Sequence, residues 1–283
     1  MGSLHELKLF RIHQNYYVKS GDELMRFLKL VLLVLVVCVL PCVSGAEDGT
    51  PTAAAEKDPS PEEIIKKFTE KETESYKAWM NYTYVQNAYI RILSVDGRPS
   101  NEWMEMVSEV VFNDDGSREI QEIRRRGGLR AVRFTREDQE IINNLNPFAL
   151  TAADLPLYNL KYEGKERVDE LNCYVFSVKP KDIKRGQLYF EGKIWVDDVD
   201  FFVARTLGKA VPQRRENQFP EFETLRQKID EKYWFPVWTH ADERLRFPDS
   251  TVRIEETITY DDYRKFDATA IIHYAAPGAD GSE

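Results

Sequence analysis

Short segments in which apolar and polar residues alternate recur along most of this chain, and this period of two constrains the fold more than any other feature. The last segment is the clearest, with Val252, Ile254 and Ile258 on one face and Arg253 and Glu255 on the other. About ten such segments follow one another and are mostly joined by short turns. Parallel neighbours would need crossovers of about a dozen residues or more, which the pattern lacks. It therefore predicts an antiparallel, meandering sheet.

Two other segments carry helix signals. Ser60 precedes Pro61 and two acidic residues, a capping pattern for a helix that runs to about Trp79. Thr135 and Asp138 cap a second, short helix. A wide sheet curls, and its apolar face needs cover. We therefore expect an α+β fold, in which an antiparallel curved sheet forms an open half β-barrel and the helices form a lid over an apolar hollow.

Residues 25–46 have the layout of a secretory signal peptide. Two basic residues are followed by an unbroken apolar run over residues 30–40, and small residues precede a cleavage site predicted after Ala46. A transmembrane anchor is the less favoured alternative, because spanning a bilayer takes ~20 apolar residues. Residues 1–24 are then an N-terminal extension ahead of the true start at Met25.

The remainder of the chain reads as one domain. Residues 47–61 are rich in Ala, Pro and acidic residues and predict a flexible linker, residues 62–268 carry the periodic segments, and residues 269–283 form a C-terminal tail. After cleavage, Cys173 is the sole cysteine, so no intrachain disulfide can form. A form that is lipid-anchored through Cys42 is the less favoured alternative, because a proline rather than a small residue precedes this cysteine.

Motifs for common catalytic chemistry are absent from the sequence, including phosphate-binding glycine loops, the zinc-protease motif and the serine-nucleophile motif. Beyond the signal peptide only His240 and His273 remain, too few for a metal site or a nucleophile relay. Asp197, Asp198 and Asp200 lie between two strand patterns, where a hairpin turn explains them better than a calcium site. The net charge of −9 argues against nucleic acid. We expect a non-enzymatic protein without a cofactor or metal.

Aromatic residues are abundant in the strand segments, with 5 Trp, 14 Tyr and 15 Phe in the chain. Core packing accounts for most of them, but a hollow that holds an apolar ligand would also use them. A buried acyl chain gains ~0.8 kcal/mol per CH₂, so a carrier needs no titrating group. The residues expected to line an acyl-chain cavity are Tyr84, Ile90, Met104, Met106, Val110, Trp195, Trp234, Trp238, Val252, Ile254 and Ile258.

One basic patch stands out in this acidic chain. Arg124, Arg125 and Arg126 lie next to a Gly-Gly turn. A solvated hairpin tip is the simpler interpretation, and contact with an anionic membrane surface is the alternative.

Three stretches resemble a known family. They are residues 158–180, which end in L-N-C-Y-V-F-S-V-K-P at residues 171–180, then F-E-G-K-I-W-V-D at residues 190–197 and I-D-E-K-Y-W-F-P at residues 229–236. In this order they are similar to the LolA/RseB-type periplasmic outer-membrane lipoprotein-sorting proteins, over residues 64–266. The resemblance implies a half-barrel with a helical lid whose hollow receives acyl chains. It also implies a location in the periplasm of a Gram-negative envelope.

Two functions follow as hypotheses. The first is a monomeric, exported carrier or sensor that binds lipid or lipoprotein acyl chains in the hollow. The second is an envelope protein–protein interaction module, whose half-barrel is filled by its own side chains and which has no lipid ligand. A hydrolase that uses carboxylates such as Glu191 or Asp230 has no positive signal in the sequence.

Overall fold

The computed structural model describes residues 58–94, 96–112, 118–216 and 218–266. The predicted signal peptide, the N-terminal extension, most of the linker and the C-terminal tail lie outside these residues. In chain order the elements are α1 (Pro61–Trp79), β1 (Tyr82–Leu93), β2 (Pro99–Phe112), β3 (Arg118–Gly128), α2 (Arg136–Glu140, continued by a π turn at Ile141–Leu145), a 3-10 turn (Leu155–Leu157), β4 (Tyr158–Val168), β5 (Leu171–Pro180), β6 (Tyr189–Asp197), β7 (Val203–Val211), β8 (Phe222–Ile229), β9 (Tyr233–Arg246) and β10 (Thr251–Lys265).

The ten strands form one antiparallel sheet in the order β3-β2-β1-β10-β9-β8-β7-β6-β5-β4. The sheet is curved and not closed, and within the described residues β3 and β4 are its two edges. Together with the two helices, this confirms the predicted α+β fold with an open half-barrel.

The sheet consists of two meanders, β1–β3 and β4–β10, in each of which strands that are consecutive in sequence are neighbours in the sheet. The two meanders are joined by the pairing of β1 with β10, in which Ala88 lies opposite Ile258. Residues 129–157 lead from one edge strand to the other and carry α2. Their side chains Ile142, Phe148 and Leu150 are buried in the core. This connection therefore covers the same face of the sheet that α1 covers, which we call the inner face.

Two buried clusters fill much of the inner face. In the first, Ile64 and Phe68 of α1 pack on strands β4–β8, against side chains that include Phe176, Phe190 and Ile194. In the second, Trp79 at the end of α1 packs on β1, β2 and β10. Alternation along each strand brings these side chains to one face. Helix α1 therefore contributes side chains to both clusters and packs against both halves of the sheet.

No helix in the described part of the chain combines the length and the hydropathy that crossing a membrane requires.

Candidate functional site

A cavity of about 400 Å³ lies on the inner face of the sheet. Its walls come from residues 129–135, from α2, from the segment between β7 and β8, and from strands β1, β9 and β10. Apolar side chains dominate the lining, among them Leu129, Phe134, Ile142, Phe219, Leu245 and Ile254. Ligand pockets in proteins range over about 300–1,000 Å³, so this cavity is large enough for a small apolar ligand.

Two buried polar side chains, Glu256 and Asn146, line the same cavity. Each has at least one side-chain atom that forms no hydrogen bond with any of the described residues. Glu256 on β10 is 7% exposed, and its Oε1 atom is unpaired. Asn146, directly after α2, is fully buried, and neither of its side-chain amide atoms is paired. An unsatisfied buried polar group costs about 1–3 kcal/mol, so each such group in a native protein calls for an explanation.

A second carboxyl group adds negative charge near Glu256. Asp138 caps the start of α2, where its Oδ2 atom accepts hydrogen bonds of 2.6 Å from the backbone N–H and the hydroxyl of Thr135. Burial nevertheless raises the pKa of Asp138 above its ordinary value. Burial and, after it, the Asp138 carboxyl raise the pKa of Glu256 to about 7. Both acids line the cavity, so it has acidic polar groups within apolar walls.

A buried ion pair ties α1 to the sheet close to the end of the α2 connection. Arg226 on β8 donates from Nη1 to both carboxylate oxygens of Glu72, at 3.0 and 2.9 Å, and the two side chains are 3% and 0% exposed. The Nη2 atom of Arg226 donates to the carbonyl oxygen of Phe148. One guanidinium therefore joins the helix, a strand and the connection that bears the cavity wall.

The sequence reasoning missed this ion pair, although a signal for it was present. Glu72 falls in the same helical register as Ile64 and Phe68, on the face of α1 that turns toward the core. Arg226 alternates with Phe222 and Thr224, which are buried on β8. When an acidic residue and a basic residue each occupy a position that the periodicity assigns to the core, a buried ion pair between them is indicated.

Most of the residues predicted to line the hollow do lie on the inner face. Ile90 and Ile254 line the cavity itself. Val252 is buried opposite Leu245, which is a cavity residue. The others belong to the adjoining buried cluster and contribute to the core rather than to the cavity wall: Tyr84, Met104, Met106, Val110 and Ile258.

Trp195 and Trp238, two of the residues predicted to line the hollow, lie on the opposite face of the sheet from the cavity. Trp195 packs with Cys173 and Val175 in a separate cluster, on the opposite face of β6 from Ile194. The registers place Trp195 across from Arg205, Arg205 across from Leu225, and Leu225 across from Trp238, so all four share the outer face. Strand position decides the face of a residue, and a shift of one residue reverses it.

Trp234 is also outside the cavity lining. It is half-buried opposite Lys228, which forms a 2.7 Å ion pair with Asp200. On the outer face, Trp238 stacks on His240 with the ring centroids 5.3 Å apart. The aromatic surplus of the sequence therefore divides between the two faces of the sheet and supplies only part of the interior.

Most of the cavity-lining residues that sequence reasoning missed lie outside the regular strands. Leu129 and Phe134 come from the segment before α2, and Phe219 comes from the segment before β8. Phe134 carried a signal, because it directly precedes the capping Thr135, the position of an apolar residue that packs back on its helix. Leu129 and Phe219 show no periodicity that would have assigned them to the site.

Other predicted features have structural roles. Asp197 ends β6, and its Oδ2 atom accepts a 2.7 Å hydrogen bond from the Asp200 backbone N–H, which confirms the hairpin turn. No group of three or more His, Cys, Asp or Glu residues in the described ranges is placed to hold a metal ion. Arg124 and Arg125 lie on the exposed edge strand β3, where they pair with the carboxylates of Glu105 and Glu122.

The fold and this cavity define a class of protein, an open antiparallel half-barrel that encloses an apolar space under a helical cover. No protein-family model matches the chain, and no curated protein matches it. Among solved structures, the chain is similar to an outer membrane lipoprotein-sorting protein domain from Vibrio parahaemolyticus, at 12% identity and a TM-score of 0.36 over 71% of this chain and 93% of that chain.

It is also similar to a LolA superfamily protein from Nitrosomonas europaea, at 13% identity and a TM-score of 0.31 over 70% of this chain and 94% of that one. The MucA/MucB complex of Pseudomonas aeruginosa matches at 11% identity and a TM-score of 0.20, over 70% and 98% of the two chains. The kind of protein that the strand motifs resemble is thus among the similar structures. Likeness at this level concerns the fold alone and says nothing about what the chain binds.

Proposed function

We propose that this chain is an exported, non-enzymatic binding protein that carries a lipid or lipoprotein acyl chain in the cavity under α2. The single observation that supports this most directly is the cavity of about 400 Å³ with mostly apolar walls. The predicted signal peptide and the resemblance to periplasmic lipoprotein-sorting proteins favour an envelope location. We expect the protein to act as a monomer.

The energetics of apolar burial suit such a role. Each CH₂ group that leaves water gains ~0.8 kcal/mol, so a ten-carbon chain supplies roughly 7 kcal/mol before the costs of association. Because the costs of association reduce this gain, we expect reversible binding with a Kd well above the micromolar range. A carrier needs to release its cargo, and moderate affinity is compatible with release.

The two carboxylates that the sequence analysis named for a hydrolase, Glu191 and Asp230, make other contacts. Glu191 is 3.4 Å from Lys179 in an exposed ion pair. Asp230 accepts a 2.6 Å hydrogen bond from the hydroxyl of Tyr82. Neither lines the cavity. Neither of these two residues therefore supports a hydrolytic function of the cavity.

A cavity-filling substitution tests the proposal. Ile254 lines the cavity and is half-buried, so Ile254→Trp places a large side chain into the space that the acyl chain would occupy. With decan-1-ol as a probe, we expect isothermal titration to show binding to the wild type and a loss of at least about tenfold in the variant. Ile183→Trp is the matched control, because Ile183 is 51% exposed in a loop. Equal binding to both variants would contradict the proposed site.

A second candidate, an envelope interaction module without a lipid ligand, is favoured by the filled half of the barrel. Under the first half of α1, the interior is occupied by the protein's own side chains, including Phe68, Phe176 and Phe190, each 0% exposed. The titration separates the two candidates. A wild-type protein that binds no chain-bearing probe would support the interaction module.

Contact with an anionic membrane surface through Arg124, Arg125 and Arg126 is part of the proposal. All three are exposed on the edge strand β3. Their acidic neighbours reduce the positive charge of the patch. Because the remaining attraction is electrostatic, we expect salt-sensitive binding to vesicles of phosphatidylglycerol and phosphatidylcholine. Sedimentation with these vesicles checks it, and replacement of the three arginines by glutamine should abolish it. Vesicle binding that is unchanged by this replacement would contradict membrane contact through these arginines.

A further inference from the structure

The polar groups of the cavity specify more about a ligand than its apolar walls do. Glu256 and Asn146 are both more than nine-tenths buried, line the cavity, and present side-chain atoms without a partner in the described residues. A wholly apolar ligand would leave both groups unsatisfied. A ligand with a polar end can satisfy them, and the chemistry of the two side chains decides which polar end fits.

We propose that the cavity selects an apolar chain that ends in a primary amine, and that it disfavours the same chain ending in a carboxylate. This inference rests on the proposed function, because it assigns the polar end of the ligand that the same cavity holds. An ammonium group has three N–H donors and a positive charge. The unpaired Oε1 of Glu256 and the amide oxygen of Asn146 are acceptors for such donors, while the unpaired amide nitrogen of Asn146 is itself a donor.

The charge of the cavity points the same way. Two acidic residues that are at least partly buried line it, Asp138 and Glu256, whereas Glu216 and the one arginine of the lining, Arg133, are both exposed. A carboxylate ligand would bring a further negative charge beside Asp138 and Glu256, and Asp138 already disfavours the ionisation of Glu256. An ammonium group forms charge-assisted hydrogen bonds there instead, which are about twice as strong as neutral ones.

The surroundings of Glu256 make the selection dependent on pH. Its neighbours on β1 and β9 are Ile90 and Ala241, which carry no charge. The titratable groups near it are Asp138 from α2 and Tyr260 on the same strand, and the exposed Arg133 and Glu216 also line the cavity. Raising the pH from 5.5 to 8 ionises Glu256 and leaves an alkylamine protonated, since amines of this kind titrate near pH 10.4. Affinity for the amine should therefore rise over this range.

Three probes with the same chain test the inference: decylamine, decan-1-ol and decanoate. Isothermal titration at pH 8 with the wild type should give an affinity for decylamine at least about tenfold above that for decan-1-ol, with decanoate the weakest. Glu256→Gln should reduce the affinity for decylamine to about that for decan-1-ol and leave the alcohol unchanged. Glu191→Gln is the control, because that carboxylate lies outside the cavity.

Each outcome has a distinct meaning. Equal binding of the three probes would overturn the inference and leave the proposed function intact, whereas binding of none would overturn the proposed function. A preference for the amine that persists in Glu256→Gln would overturn the role of Glu256. Circular dichroism checks that the variant folds, and Asp138→Asn, which keeps an oxygen acceptor at the cap, should independently weaken the preference.

Discussion

At the residue scale, two buried glutamates differ in the charge of the group next to them. Glu72 on α1 has the guanidinium of Arg226 within hydrogen-bond distance of both its oxygens. Glu256 on β10 has an unpaired oxygen and another carboxyl group nearby. The first is an internal contact that links elements, and the second is a polar group placed in a cavity. The two therefore differ in what their removal should do to stability.

We expect Arg226→Met to lower the free energy of unfolding by about 3–5 kcal/mol, because it leaves the Glu72 carboxylate buried and unpaired. The double variant Glu72→Met with Arg226→Met should regain part of this loss, since a buried pair can be replaced by apolar side chains at little cost. Urea unfolding of the single and double variants measures both effects.

The control for this cycle is an exposed ion pair on the same helix. Lys71 and Glu74 lie 3.5 Å apart and are 45% and 44% exposed. Lys71→Met should cost at most about 1 kcal/mol. A loss in Arg226→Met that is no larger than this would mean that the buried pair contributes no more than a surface pair.

The raised pKa of Glu256 makes the stability of the fold depend on pH. The unfolded chain ionises this group near its ordinary value of 4.5, whereas the folded protein resists ionisation up to about pH 7. The penalty is therefore absent at low pH, grows between these values and is constant above them, at about 3 kcal/mol. The variant Glu256→Gln does not have this ionisation penalty. The difference in the free energy of unfolding between the variant and the wild type should therefore rise in favour of the variant by about 3 kcal/mol from pH 4 to pH 8. Urea unfolding at several pH values measures the difference, and a difference that does not change with pH would contradict the environment described for Glu256.

At the element scale, local signals located the helix starts well and the strand ends less well. Ser60 and Thr135 form the predicted capping boxes, because these depend on residues three positions apart. The last two strands extend beyond their apolar patterns, to Arg246 and Lys265. Backbone pairing with a neighbouring strand, rather than side-chain periodicity, sets those ends.

Strands β6 and β7 approach each other through two facing glycines. Gly192 lies directly opposite Gly208, and a Cβ atom on Gly192 would overlap the Gly208 Cα atom and the carbonyl oxygen of Leu207. Because backbone cannot yield as a flexible side chain can, we expect Gly192→Ala to cost about 3 kcal/mol in urea unfolding. Gly128→Ala, where a Cβ meets nothing within 4 Å, should change stability by less than about 0.5 kcal/mol. Similar losses in both variants would refute the packing explanation.

At the scale of the whole molecule, one connection creates the site. Residues 129–157 cross from edge strand β3 to edge strand β4, and on the way they supply α2 and much of the cavity wall. Buried side chains pack together under α1, and a cavity lies beside α2. Each of the two hypotheses drawn from the sequence therefore has a structural counterpart in one half of the barrel.

A ligand that binds only the folded cavity should stabilise the whole domain. At about 100 times its Kd the gain is about 2.7 kcal/mol, which corresponds to a rise in Tm of roughly 5–11 °C for a domain of this size. We expect decylamine to produce such a rise in the wild type and a much smaller one in Ile254→Trp. Differential scanning calorimetry measures the shift, and equal shifts in both proteins would place the ligand elsewhere.

The sequence by itself determined the strand-rich α+β class, both helix starts and the inner position of residues such as Ile254 and Ile258, because each follows from local periodicity or capping. Only the tertiary structure decided that β1 pairs with β10, that Trp195 and Trp238 face outward, and that Leu129 and Phe219 reach the cavity. It also decided that Glu256 is buried without a full set of partners while Glu72 meets Arg226. These features depend on contacts between segments far apart in the chain, and a local pattern of apolar and polar residues carries no information about which distant segment will lie against it.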